Sequence, residues 1–348
     1  MNPINLTAYE ILENFKENNL GLFKVLKNTE HGYLGIHNNS FHFESVWEHT
    51  LMVLKEAQRD GDGVLMLSAL CHDLGKSVYL DNERKRRSFR NHEGISTFLA
   101  LDVLKHFDIT KEDKLRVIKT VQAHGNLYQF FRDGRIPKEN WDRLHQRYQK
   151  EELQDLFKFY RCDHDGRFYK TQRFDIKDEL YQDFLDIVDT HGVIEVAKTT
   201  PEVTVMIGLP RSGKDTYIAD NYNGETIISR DDVMMELYSK GDSYTSTFKK
   251  ISKEEHKKVD QETQKRFQVA VKNKENIIIN LTNLSKKTRA KWLPQNYYKK
   301  AVVVLTSPKT CLSRNTTEKY IPTDVLHDMI KRYHAPNLEE FDEIHHEI

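Results

Sequence analysis

Cysteine is scarce in this sequence. The chain has three cysteines in 348 residues, Cys71, Cys162 and Cys311, and they lie far apart with no CxxC pair. An odd number of scattered cysteines argues against a disulfide framework and against a cysteine-based zinc site. This usage fits a reducing compartment, so we expect a cytoplasmic location.

Long apolar runs are also missing. No stretch approaches the roughly 20 apolar residues of a membrane-spanning helix. The first 19 residues, MNPINLTAYEILENFKENN, carry acidic groups and lack the apolar core of a signal peptide. We therefore expect a soluble protein with no membrane partner.

Glycine, proline and net charge are low as well. The chain has 15 Gly and 8 Pro, and its 53 basic residues balance its 53 acidic ones. This balance excludes the global positive field of a nucleic-acid coat protein. With 38% hydrophobic and 30% charged residues, the composition indicates well-structured, helix-rich domains, and the length suggests two of them.

The two halves of the sequence differ in composition and in hydrophobic pattern. Eleven of the 16 histidines precede residue 200, and that part carries 29 basic and 32 acidic residues against 24 and 21 in the rest. Apolar residues recur at helical spacing from 5 to 190, except over 77–90, whose flanks are β-like around a charged turn. From 201 onward, short runs such as VTVMIGL, TIIS, NIIINL and AVVVL are typical of buried parallel strands.

These patterns predict a multidomain protein. We expect an all-α helical bundle over 1–190, a linker over 191–202 and an α/β domain with a parallel sheet over 203–348.

A glycine-rich turn follows the first predicted strand. In GLPRSGKDT, Gly208 and the pair Gly213-Lys214 match the phosphate-loop pattern GxxxxGK between a strand and a helix. Backbone N–H groups of such a loop cradle phosphates, and the lysine reaches the β and γ phosphates. The motif predicts binding of ATP with Mg²⁺ by Gly208, Leu209, Pro210, Arg211, Ser212, Gly213, Lys214, Asp215 and Thr216.

Two further residues complete a candidate phosphotransfer site. Asp231 comes directly after the second predicted strand, where it can accept a proton from an attacking hydroxyl or simply cap the next helix. Arg314 lies on a predicted helical lid, where it can stabilise the transferring phosphoryl group or be an ordinary surface arginine.

The motif order resembles the kinase module of polynucleotide kinases. GLPRSGKDT, SRDD, TNLS, RN and IPTDVLHDMIKRYHAPNLEEFDEI follow one another between 203 and 344. The resemblance implies transfer of the ATP γ-phosphate to a 5'-hydroxyl RNA or DNA end. It assigns phosphate contact to Lys214, the general base to Asp231 and the lid arginine to Arg314, and makes Asn283 of TNLS a weaker candidate.

This chain departs from the kinase pattern at several positions. Asp215 replaces the usual Ser or Thr, Leu281 stands before TNL, Met234 replaces an arginine three residues after the base, and Glu318 and Lys319 stand where a second lid arginine is common. Because of these departures, the sequence does not show which residues bind the metal ion and the phosphate next to the acceptor hydroxyl.

The N-terminal half carries metal-ligand residues inside apolar helical patterns. VWEHT, LCHDLGK, NHEGIS, VQAHG and RCDHDG supply the candidate ligands His49, His72, Asp73, His92, His124 and Asp163. Imidazoles and carboxylates together suit Mn, Fe, Co, Ni or Zn, and a helical bundle can bring them to one cavity.

This pattern resembles the HD phosphohydrolase superfamily over about 30–170. The resemblance implies one or two transition-metal ions such as Mn²⁺, Ni²⁺, Co²⁺ or Zn²⁺, with Asp73 in the metal set and at the reaction centre. It places Lys76 at a substrate phosphate, although a lysine near a helix C-terminus is also ordinary. His42 aligns with a family histidine of unclear role.

A basic turn precedes His92. Arg84, Arg87 and Arg90 lie in NERKRRSFRNHE, which is either a solvated turn or a contact for a nucleic-acid phosphate backbone.

Together the halves resemble bifunctional nucleic-acid end-healing enzymes. We expect the N-terminal domain to remove 3'- or 2'-phosphates, including 2',3'-cyclic phosphates, and the C-terminal domain to phosphorylate 5'-hydroxyl ends. Such an enzyme would act on RNA or DNA ends, with RNA favoured, and hand them to a separate RNA ligase. The alternatives are a nucleotidase fused to a nucleotide or metabolite kinase, and a phosphatase joined to a decayed, RNA-end-binding P-loop domain.

Overall fold

A computed structural model of the chain describes residues 7–28, 44–79, 89–131, 136–167, 183–188, 198 and 201–348. The chain divides into two compact units, Met1–Ile194 and Glu195–Ile348. Of the residues named above, His42, Arg84 and Arg87 lie outside the described ranges, as does most of the predicted linker.

The described part of the first unit is helical. Its α-helices are α1 (Ala8–Asn18), α2 (Leu20–Asn28), α3 (Val46–Arg59), α4 (Gly63–Cys71), α5 (His92–Leu104), α6 (Lys111–Ala123), α7 (Lys138–His145), α8 (Lys150–Asp165) and α9 (183–188). Two 3-10 helices, Leu74–Tyr79 and His124–Phe130, continue the chain after α4 and α6. The β-like reading of Ser77–Tyr79 is therefore wrong, because these residues extend the turn that ends α4.

Side-chain caps start two of the helices that position the candidate ligands, α3 and α4. Ser45 and Glu48 form a capping box at α3, and the Asp62 carboxylate accepts from the backbone N–H groups of Val64 and Leu65 at α4. All nine residues of α4 are buried, so this helix is the centre of the bundle. A candidate ligand, His72, lies at its C-terminal end.

The second unit is a five-stranded parallel sheet covered by helices. Its strands are β1 (Glu202–Ile207), β2 (Thr226–Ile228), β3 (Ile277–Ile279), β4 (Tyr298–Val304) and β5 (Glu343–Glu347), in the order β2-β3-β1-β4-β5. Val205 pairs with Ile279 on one side and Ala301 on the other. The prediction of a helical region followed by a parallel-sheet α/β region is confirmed.

The helices of this unit connect the strands. They are α10 (Lys214–Asn221), α11 (Arg230–Tyr238), α12 (Tyr244–Lys250), α13 (Lys253–Lys272), α14 (Lys286–Arg289), α15 (Pro308–Ser313) and α16 (Thr323–Ile330), with a 3-10 turn at Ala290–Trp292. The sequence patterns missed β5, because its residues EIHHE are mostly polar and its pairing with β4 alone makes it an edge strand. No helix among the described residues is long and apolar enough to cross a membrane.

Candidate functional site

Helix ends bring the six candidate metal ligands of the first unit together. His49 lies in the first turn of α3, His72 and Asp73 follow α4, His92 begins α5, His124 follows α6, and Asp163 lies in the last turn of α8. Two groups of three have ligand atoms within 4.8 Å of one another, His49-His72-Asp73 and Asp73-His92-His124. Asp73 belongs to both groups, which is the arrangement of a carboxylate shared by two metal positions.

Each histidine of the cluster is oriented by a backbone carbonyl. The Nδ1 atoms of His72, His92 and His124 lie 2.8, 2.9 and 2.7 Å from the carbonyl oxygens of Ala69, Phe89 and Val121. His49 Nδ1 lies 3.0 Å from the Gly166 oxygen. A carbonyl oxygen only accepts, so Nδ1 carries a proton, and Nε2 is the ring nitrogen that faces the cluster, as in metal-binding histidines.

The Nε2 atoms converge on the carboxylates. His49 Nε2 lies 2.9 Å from Asp163 Oδ1, and His92 Nε2 lies 3.2 Å from Asp73 Oδ1. His72 Nε2 is buried and lies 3.2 Å from Asp73 Oδ2. Buried imidazole nitrogens and carboxylate oxygens that converge at these distances are the donor atoms that a transition-metal ion uses, so these residues fit a metal ion.

Burial keeps two of the imidazoles neutral, which is the form that binds metals. Burial lowers the pKa of His49 and lowers the pKa of His124 to about 4, where the charge of His92 acts in the same direction. At His72 burial also opposes protonation, but the Asp73 carboxylate outweighs it and raises the pKa. A metal ion on Nε2 would replace that proton.

Two residues outside the sequence motifs hold Asp163. The Arg167 guanidinium and the Tyr128 hydroxyl both donate to Asp163 Oδ2, and Arg167 Nη2 also contacts the Tyr128 hydroxyl. Burial would raise the pKa of the Asp163 carboxyl, but Arg167 and His49 outweigh it and hold that pKa well below its usual range. The HD pattern did not point to either residue, although Arg167 lies only four residues after Asp163, just beyond the end of α8.

Lys76 is an ion-pair partner of the cluster. Its Nζ lies 2.6 Å from Asp73 Oδ2, and the side chain is buried. The basic turn is described only from Phe89 onward, where Arg90 is exposed.

The phosphate loop of the second unit has the geometry that its sequence predicts. Arg211 and Gly213 have φ of 67° and 106°, and a Cβ on Gly208 would approach the Val304 carbonyl oxygen to 2.6 Å. Glycine is therefore required at 208 for space and favoured at 213 for its backbone angle. Lys214 opens α10, and its Nζ donates to the carbonyls of Leu209 at 2.7 Å and Gly208 at 3.1 Å.

The loop lines a cavity of about 810 Å³. Four cationic residues, Arg211, Lys214, Arg314 and Lys319, line it, and Arg314 Nη1 donates to the Arg211 carbonyl at 3.0 Å. Burial lowers the pKa of Lys214 to about 8. The cavity therefore offers positive charge to a polyphosphate. Its other lining residues include Ser212, Asp215, Thr216, Tyr217, Thr306 and His345.

Asp231 does not cap its helix by its side chain. The cap of α11 is Ser229, whose Oγ accepts from the Asp232 backbone N–H at 3.2 Å. Asp231 instead accepts from Lys319 Nζ at 2.7 Å and from the Tyr244 hydroxyl at 3.3 Å. Its carboxylate is thus directed toward the cation that lines the phosphate cavity.

The residues that depart from the kinase pattern make specific contacts in the structure. Asp215 accepts from the Asn280 amide at 2.7 Å, and Met234 is buried against Val233 and Val259. Asn283 is buried and donates to the Met206 carbonyl at 3.0 Å, so its side chain fastens the turn after β3 to β1. Lys319 is the residue that sequence reasoning undervalued, since it contacts the candidate base directly.

A family model described as an AAA domain matches residues 203–336. No curated protein matches the chain significantly. The matched range runs from β1 past α16 and contains the phosphate loop, Asp231 and Arg314. The C-terminal unit is therefore similar to P-loop, kinase-like nucleotide-binding domains, for which ATP and Mg²⁺ are the expected cofactors.

Proposed function

We propose that the protein heals nucleic-acid ends. In this proposal the C-terminal unit transfers the ATP γ-phosphate to a 5'-hydroxyl end, and the N-terminal unit hydrolyses 3'- or 2'-phosphates, including 2',3'-cyclic ones, with one or two transition-metal ions. RNA is the favoured substrate, and a separate RNA ligase would use the product.

The observation that carries the kinase proposal is the position of Asp231. Its side chain is 39% exposed, and it is linked through Lys319 to the cavity that holds Lys214 and Arg314. A base that is open to solvent on one side and faces phosphate-binding cations on the other suits a hydroxyl at the end of a long polymer. Asp215, in the place of the usual Ser or Thr, would hold Mg²⁺ by a carboxylate oxygen.

The phosphatase proposal is carried by the imidazole cluster. Four oriented histidines and two carboxylates are the donor set of a transition-metal site. A metal ion bound there would lower the pKa of a water molecule, which could then attack phosphorus. When a metal ion neutralises Asp73, Lys76 would lose its ion-pair partner and become available to a substrate phosphate.

Labelled ATP tests the kinase against its rivals. We expect phosphate transfer to a 5'-hydroxyl oligonucleotide that excess mononucleotide does not suppress. Suppression by mononucleotide would favour a nucleotide kinase, and absence of transfer to any acceptor would favour a decayed, RNA-end-binding domain.

Metal titration tests the phosphatase. We expect the metal-free protein to release phosphate from a 3'-phosphate oligonucleotide only after addition of Mn²⁺, Ni²⁺, Co²⁺ or Zn²⁺. The Asp73→Ala variant should bind no metal, because Asp73 belongs to both ligand groups. Full phosphate release by that variant would contradict the assignment.

A further inference from the structure

An aromatic shelf lies beside Asp231 on the C-terminal unit. We give this name to Tyr244, Phe248 and His256. The rings of Tyr244 and Phe248 are stacked with centroids 6.0 Å apart, and His256 meets Phe248 edge-on at 4.9 Å. Tyr244 and Phe248 lie one turn apart on α12, so they present neighbouring rings on the same side of that helix.

The Phe248 side chain is not buried in the hydrophobic core. Its side chain is 45% exposed, whereas the neighbouring Thr247 is buried. Leaving an aromatic ring in water forgoes the free energy that its burial would contribute. A half-exposed ring packed between two other rings is already rigid, so a planar ligand can stack on it at little entropic cost.

The shelf begins at the candidate base. The Tyr244 hydroxyl donates to Asp231, and Lys319 Nζ lies 4.6 Å from the Tyr244 ring centroid as well as 2.7 Å from Asp231. A hydroxyl held at Asp231 therefore places the rest of its nucleotide next to these rings.

The charge around the shelf suits a nucleic acid. Arg230 Nη2 lies 3.2 Å from His256 Nδ1, and Lys249 follows Phe248 at an exposed position. Arg230 also pairs with Asp260 at 2.6 Å, and the exposed Lys250 pairs with Asp242 at 2.7 Å. A π-face bordered by cations is the arrangement by which proteins hold single-stranded nucleic acids, with bases stacked and the phosphate backbone near positive charge.

We propose that the exposed ring of Phe248 stacks with the nucleobase of the acceptor's 5'-terminal nucleotide. This inference rests on the proposed kinase function and names the substrate feature that the site recognises. Stacking is tolerant of base identity, so the shelf would select a nucleotide end without selecting a sequence.

Kinetics with an abasic acceptor test the proposal. The acceptors are two 5'-hydroxyl oligonucleotides that differ only in whether the first nucleotide carries its base. With the wild-type protein we expect removal of the base to raise the acceptor KM about 5- to 150-fold, the range that corresponds to stacking of one base. The Phe248→Leu variant should show the high KM with both acceptors, with its ATP KM unchanged.

Two further variants serve as controls. Phe248→Trp keeps a π-face and should preserve the preference for the acceptor with a base, whereas Tyr9→Leu changes an exposed aromatic residue of the other unit and should alter nothing. Equal KM values for both acceptors in a wild-type protein that phosphorylates them would overturn this inference alone. Phosphorylation of neither acceptor would overturn the inference and the proposed kinase function together.

Discussion

At the scale of single residues, Lys214 shows how burial creates the chemistry of a site. The ammonium group donates to loop carbonyls at the position where phosphates are expected. Burial lowers its pKa to about 8, so the free protein holds this lysine partly neutral in mildly alkaline solution. Phosphate oxygens favour the charged form, and ATP should therefore raise that pKa on binding.

A proton should accordingly be taken up with ATP. Above pH 8, affinity for ATP should fall about tenfold per pH unit, because only the protonated lysine attracts phosphate. Calorimetric titration at pH 8 in buffers of different ionisation enthalpy would show the uptake. The Lys214→Arg variant stays charged and should lose the uptake; an identical buffer dependence in that variant would show that another group takes the proton.

Arg167 offers a second residue-scale prediction, in the histidine–aspartate cluster. Replacing it by Met leaves Asp163 without the guanidinium that fixes it, so affinity for Co²⁺ should fall about 10- to 100-fold. Titration of metal-free protein with Co²⁺, followed by visible absorption, measures this affinity.

The matched control is Arg161→Met, on the same helix and partly exposed beside Asp165. It should bind Co²⁺ as the wild type does. Equal affinity in all three proteins would mean that Asp163 needs no support from Arg167.

At the scale of elements, the residues of both candidate sites lie at the ends of helices and strands. The sequence identified the helix that each ligand borders, because apolar spacing and the HD motif are local patterns. It could not show that a backbone carbonyl orients every cluster histidine, or that Tyr128 and Arg167 meet at Asp163, since these contacts depend on packing between helices. In the same way, the sequence left open whether the Asp231 side chain caps α11, and the structure assigns that cap to Ser229.

A buried ion pair joins α14 to the chain before β5. The Arg289 guanidinium, fully buried, donates to both carboxylate oxygens of Glu340 at 2.9 and 2.7 Å and to the His334 carbonyl at 2.8 Å. Removing one partner of such a pair leaves an uncompensated buried charge. We expect Arg289→Met to lower the free energy of unfolding of the C-terminal unit by about 3–5 kcal/mol.

Trp292 lies in the adjacent turn and reports on this unit. Urea unfolding would be followed by its fluorescence in a background where Trp47 and Trp141 are replaced by Phe. The control Lys286→Met affects an exposed pair with Glu339 at 3.8 Å and should change stability by less than about 0.5 kcal/mol. A similar small change for Arg289→Met would contradict the role given to the buried pair.

At the scale of the whole molecule, balanced charge conceals two different chemistries. A slightly acidic, histidine-rich helical unit carries the histidine–aspartate cluster, and a slightly basic sheet unit carries the phosphate loop and its cavity. Composition and strand patterns were sufficient to predict this division of architectures. The acceptor that we propose could not be predicted from them, because the proposal depends on the contacts of Asp231 with Lys319, 88 residues away in sequence, and with Tyr244 of the aromatic shelf.

The central claim is that each unit acts on one kind of end. One RNA with a 5'-hydroxyl and a 3'-phosphate, incubated with ATP, Mg²⁺ and Mn²⁺ and analysed at both ends, tests it most directly. We predict that the wild-type protein changes both ends, that Lys214→Ala abolishes only 5'-phosphorylation, and that Asp73→Ala abolishes only 3'-phosphate release. Retention of 5'-phosphorylation by Lys214→Ala, or of 3'-phosphate release by Asp73→Ala, would contradict the account.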